Sequence, residues 1–191
     1  MMGAGGFSFK VRGAILNEDD RRERLMSETR ALYDTDFLAW SKDQAEGLRS
    51  LARGGSNEAL DWENLAEEIE SLGISQKTAL RSQMRRIILH LLKLEFSPAV
   101  EPRRGWFESV GDARAEIESL LETSPSLKLD AGSALAMALR QGSKKAVFDL
   151  EKYGEVDPAT LARIQAKTYT EDQILGDWFP PEPSEPAGGA E

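Results

Sequence analysis

Apolar side chains recur along the body of this chain at three- and four-residue intervals, and there they form no long run alternating with polar ones at period two. That spacing puts the apolar groups on one side of a helix with 3.6 residues per turn, and it leaves no half-buried strand pattern. The chain is therefore read as all-α: a helical bundle of five to seven helices around a long central helix, with no β-sheet. Its 191 residues suffice for one ordinary domain.

Punctuation along the chain sets the expected elements. Residues 1–32 read as an N-terminal arm, glycine-rich at first and then loosely helical. Residues 33–180 read as the single all-α domain, and residues 181–191 as a Pro/Gly/Glu tail too polar to bury a core. Asp34 or Thr35 is placed to cap a helix to Arg53 whose core face is Phe37, Trp40, Gln44, Leu48 and Leu51. Gly54-Gly55 stops it. Asp61 caps the next helix, with Leu60 and Leu65 as a hydrophobic staple and Gly73 as its C-terminal stop. Ser75 then caps the longest helix, Gln76 to Phe96, which Pro98 prevents from continuing. Its second half is apolar on two sides, which marks it as central. Further helices are expected from Trp106 to Glu122, from Ala131 to Tyr153 with a bend or division at Gly142, and from Asp157-Pro158 to Lys167. Thr170 and Gln173 form a capping box for a last short one.

Charge and composition narrow the function classes. The formal net charge is −9 and there is no cysteine. An acidic surface repels nucleic acid at long range, so a nucleic-acid role is disfavoured. Without cysteine there is no disulfide framework, thiol nucleophile or thiolate metal site, which suits the reducing cytoplasm. No apolar run reaches the roughly 20 residues a spanning helix needs, so no membrane is expected. The charge is uneven: residues 57–72 carry six acids and no base, whereas Arg81, Arg85, Arg86, Lys93, Arg103 and Arg104 crowd residues 81–104.

Several motifs in order point to a family. Asp36-Phe37 and Trp40 are followed by Leu60-Asp61, Glu63-Asn64-Leu65, Glu67-Glu68-Ile69-Glu70 and Leu72-Gly73. Then come His90-Leu91-Leu92-Lys93, Arg104 and Trp106, and Ser124-Pro125-Ser126-Leu127. Tyr169-Thr170, Gln173-Ile174-Leu175 and Trp178-Phe179-Pro180 close the series. With these the chain from about Tyr33 to Pro180 resembles bacterial domain-of-unknown-function family 29, found in cyanobacteria and proteobacteria. Leu94, Phe96-Ser97-Pro98 and Gly105 depart from the family's usual residues. The resemblance implies a helical, soluble bacterial protein and no particular activity.

One polar constellation stands out. Asn64, Glu67, Glu68 and Ser71 form a stripe on the helix from Asp61; Gln83, Arg86, His90 and Lys93 form another on the helix from Gln76. A short connection at Gly73–Ser75 would make these helices an antiparallel hairpin, with Asn64 opposite Lys93 and Ser71 opposite Arg86. The plain expectation is an ionic seam that fixes register. The sharper one is a catalytic cleft of Glu67, Glu68, His90 and Lys93, with Glu67 and Glu68 as candidate ligands for a divalent metal. Asn64, Arg86, Arg103, Arg104 and Trp106 are candidate binding residues; the two arginines before Trp106 suit a phosphate or carboxylate. With a single histidine and no P-loop, no cofactor is expected. The leading functional expectation is a non-enzymatic module binding a protein partner or itself. A carboxylate-based metal-assisted hydrolase and an anion or nucleic-acid binder at the Arg85–Arg104 region are the alternatives.

Overall fold

The computed structural model describes residues 18–55 and 59–181. The expected glycine-rich lead-in and the Pro/Gly/Glu tail lie outside them, apart from Pro181. Within the described residues the chain is helical, without a strand. The helices are α1 (Glu18–Thr35), α2 (Phe37–Arg53), α3 (Trp62–Phe96), α4 (Arg103–Thr123), α5 (Ala131–Lys152), α6 (Pro158–Ala166) and α7 (Glu171–Leu175); a 3-10 turn (Pro125–Asp130) joins α4 to α5.

Most boundaries follow the local chemistry. Asp61 accepts from the Asn64 amide at 3.2 Å, and Asp157 from the Thr160 amide at 2.6 Å ahead of Pro158. Thr170 and Gln173 close both halves of a capping box. Gly55 takes the left-handed conformation at φ 71° just past α2. The cap of α2 is Asp36, one residue beyond the expected Thr35. Its carboxylate accepts from the Ala39 amide (3.0 Å) and also from the amide (2.9 Å) and hydroxyl (2.8 Å) of Ser126. One side chain thus starts a helix and ties it to a turn 90 residues away. The buried Ser124 hydroxyl completes the tie by accepting from the Leu38 amide at 3.3 Å. α4 begins at Arg103, three residues before the expected start.

The expected hairpin at Gly73 does not form; α3 runs unbroken for 35 residues. Gly73 lies buried inside the helix, where α2 crosses it. A Cβ there would stand 2.2 Å from Ser41 Oγ and 3.0 Å from Leu38 Cδ1. The missing side chain permits close helix approach rather than a left-handed stop. Ser71 and Ser75 do not cap; their hydroxyls donate to the Glu68 carbonyl (2.7 Å) and the Leu72 carbonyl (2.6 Å) of the same helix. Gly142 does not divide α5. A Cβ there would meet Ile88 Cγ2 at 2.8 Å and the Arg85 carbonyl at 3.2 Å, so it too marks a close crossing on α3.

α3 is the spine. Its second half supplies Leu80, Met84, Ile87, Ile88, Leu91, Leu92 and Leu94 to the core, all buried. Val110, Ala113 and Ile117 of α4, Ala138, Ala146 and Leu150 of α5, Ile164 and Ile174 close around them. The first half is different. Lys77 pairs with Asp130 just before α5, and Ser124 just after α4 reaches Leu38, which touches Gly73. Both flanking helices therefore begin to cover α3 only near residues 73–77. The turns from Trp62 to Leu72 extend beyond them as an arm with α2. On that arm Leu65 and Leu72 remain 41% and 46% exposed.

Candidate functional site

The continuity of α3 decides the fate of the expected cleft. Glu67 and His90 sit 23 residues apart on one continuous helix, about 35 Å at 1.5 Å per residue. No geometry of this fold brings Glu67 or Glu68 to His90 or Lys93. Both glutamates are exposed, and among the described residues no group of three or more Asp, Glu, His or Cys is placed to hold a metal. Asn64 does not face Lys93; its amide donates to the Asp61 carboxylate at 2.6 Å. The acidic stripe is served from α2 instead, where Arg49 reaches Glu70 at 2.6 Å and Glu63 at 3.4 Å.

The basic half of α3 is paired with other helices. Lys93 lies 2.7 Å from Asp149 on α5, with both side chains largely buried, and 5.9 Å from the Trp106 ring centre. Lys145 shares the same carboxylate at 2.5 Å. Burial works against ionising Asp149, but the hydrogen bonds from Lys145 and Lys93 outweigh it and hold this carboxyl below the usual range. His90 lies one turn before this pair. Burial first, then the charges of Lys93 and Arg86, push its pKa down to about 4, against the opposing pull of Asp149. His90 is therefore neutral at pH 7, and its buried Nδ1 has no hydrogen-bond partner.

The remaining candidates divide. Arg86 contacts Ser109 at 3.3 Å and Asp112 at 3.9 Å across α4. Arg103 turns inward and donates to the Leu94 carbonyl at 2.9 Å, satisfying an orphan acceptor at the end of α3. Arg104 points to solvent and pairs with Glu108 one turn on. Trp106 is half-buried against the core. Arg86, His90, Lys93 and Trp106 thus gather at one end of the molecule, whereas Asn64, Glu67 and Glu68 lie on the arm. Arg104 stands apart.

Three important groups escape a reading by local spacing. Asp149, which Lys145 also pairs with, meets Lys93 only because α5 runs parallel to α3. Glu95 accepts from Tyr169 at 2.9 Å and pairs with Lys167, fastening the chain after α6 to the spine. Arg114 donates to the carbonyls of Gln173 (2.9 Å), Ile174 (3.0 Å) and Trp178 (2.7 Å), with its guanidinium 4.8 Å from the Phe179 ring. It clamps the segment containing Trp178-Phe179-Pro180. Periodicity does not signal these long-range partners.

On the outer side of α3 lies a groove of about 410 Å³, lined by Ser82, Gln83, Arg85, Arg86 and Leu89, with Lys145 of α5 on its wall. Three of its six lining residues are cations and none is an acid, on a chain of net charge −9.

Comparison with known proteins adds a family and no activity. No protein of curated function matches the chain. An α-helical protein of unknown function from Rhodospirillum rubrum is similar in structure, with a TM-score of 0.60 and 27% sequence identity over 76% of this chain and 89% of that one. The family model for the domain of unknown function DUF29 matches residues 32–179, from the end of α1 through the clamped Trp178-Phe179 segment, and the chain belongs to that family.

Proposed function

We propose that this chain is a bacterial, cytoplasmic interaction module whose single folded unit is residues 33–180. Its contact face is the bare flank of the α2/α3 arm, and the occupant is a second copy of the chain. The observation that carries the reading is the stripe on the first half of α3. Trp62, Leu65, Ile69 and Leu72 alternate at three and four residues, as a helix does when it expects a neighbour. Lower on α3, α4 and α5 supply such neighbours; along the arm, among the described residues, only α2 does.

Two arms laid together complete a four-helix arrangement, and the area suits a weak pair. The arm's stretch of α3 is about 17 Å long and its two helices are each about 10 Å across, so two such faces bury roughly 700 Å², below the range of stable interfaces. Covering the exposed halves of four leucines contributes about 1 kcal/mol each. Set against the cost of association, this supports dissociation constants no tighter than about millimolar. Glu68 flanks the stripe between Leu65 and Leu72 and faces its own counterpart in such a pair. Screening should therefore tighten the pair.

Sedimentation over a wide concentration range tests this. The expected result is a monomer–dimer equilibrium that tightens with salt, is abolished by Leu65→Lys with Leu72→Lys, and is strengthened by Glu68→Gln. A monomer at every concentration overturns the reading. So does a dimer that appears only when residues 1–17 are removed, which would assign the face to that segment.

A further inference from the structure

We infer that the groove between α3 and α5 binds a small phosphorylated anion, with Arg85, Arg86 and Lys145 as the phosphate-holding residues and Leu89 as an apolar floor for the rest of the ligand.

The argument rests on where the positive charge goes. Lys145 and Lys93 share one carboxylate, Asp149, so that trio keeps a net positive charge. The carboxylate nearest Arg86 is Asp112, at 3.9 Å and on a side chain 72% exposed, which gives little compensation. Arg85 makes no ion pair among the described residues. One turn earlier Arg81 contacts Met137 Sδ at 3.5 Å rather than an acid. Like charges lining one groove repel unless an anion lies among them. Guanidinium groups suit phosphate oxygens, because each offers a planar fork of donors. Gln83 and Ser82 add uncharged donors on the same wall. The volume, about 410 Å³, lies in the range of small-molecule sites, and the leucine floor gives the ligand's organic part a place to pack.

His90 reports independently on the local field. It lies one turn beyond Arg86 on the same helix, and the Arg86 and Lys93 charges contribute to its low pKa. It is also the one histidine in the chain, so its imidazole signal needs no assignment.

The test uses inorganic pyrophosphate and adenosine monophosphate as probes on the full chain, by calorimetry and by the imidazole resonance. Both are expected to bind at sub-millimolar concentration, and saturation is expected to raise the His90 pKa. Arg85→Glu, at an exposed position, should weaken binding by roughly tenfold or more while leaving thermal stability unchanged. Absence of binding for either probe at about 10 mM overturns the inference. Binding that Arg85→Glu does not alter overturns the assignment to this groove. Binding of duplex DNA without binding of pyrophosphate overturns the small-ligand class.

Discussion

Replacing Gly73 by alanine separates the two physical roles this glycine can have. In isolation the change favours the helix by about 1 kcal/mol, because alanine is the better helix former. In the structure the new methyl lands 2.2 Å from Ser41 Oγ, well inside contact distance, and 3.0 Å from Leu38 Cδ1. Ser41 is fully buried, and its hydroxyl donates to the Leu38 carbonyl at 3.0 Å. Turning the hydroxyl away leaves a buried polar group without that bond, at about 1–3 kcal/mol, and pushing the helices apart costs about 1–3 kcal/mol. With both costs set against the gain in helix propensity, the expected net loss for Gly73→Ala is about 1–5 kcal/mol. Ser41→Ala removes the atom in the way. In the double variant the nearest remaining atoms are Leu38 Cδ1, the far end of a flexible side chain, and the position-41 Cβ at 3.4 Å. The double variant should recover at least about 1 kcal/mol over the sum of the single changes, as urea unfolding midpoints would show. Gly47, on the open side of α2 with nothing within 4 Å, is the control: alanine there should stabilise by about 0.5–1 kcal/mol. A loss at Gly73 that Ser41→Ala leaves untouched would refute the close-crossing argument and favour a left-handed helix end.

Two further outcomes follow from single side chains. Asp36→Ala removes three hydrogen bonds at once and should cost about 2–3 kcal/mol in urea unfolding, with Asp36→Asn intermediate. His90 has a folded pKa of about 4 against 6.5 when unfolded, so between those values the unfolded chain binds more protons. Its contribution to stability is complete above pH 6.5 and is lost as pH falls toward 4; His90→Gln should flatten the melting temperature across that window, and an unchanged pH profile would refute the assignment.

How much of this was legible in the sequence depends on the range over which each signal acts. Caps and stops at Asp61, Asp157, Thr170 and Gly55 act within four residues and read correctly. Gly73 misleads because a glycine at a helix crossing and a glycine at a helix end look alike locally. The phase of the core stripe carries the missing information: Ala66, Gly73, Leu80, Ile87 and Leu94 follow at seven-residue intervals, and all five are buried. A turn at Gly73 would reset that phase. The expected polar cleft failed with the hairpin, since charge stripes within one helix say nothing of which helix faces them. Lys93 finds Asp149 and Arg49 finds Glu70 only through tertiary packing.

The continuity of α3 underlies the arm, the separation of Glu67 from His90 and the position of the groove, and one distance tests it. Because the chain has no cysteine, Glu67→Cys and Arg85→Cys give two clean sites for spin labels, diluted in unlabelled chain to suppress contacts between copies. Eighteen residues of unbroken helix predict a backbone separation of about 27 Å between the labelled sites, with a narrow distribution by pulsed dipolar spectroscopy. A hairpin turning at Gly73 would fold the two sites to within about 15 Å, given a helix spacing of 8–10 Å, and that result would contradict the account.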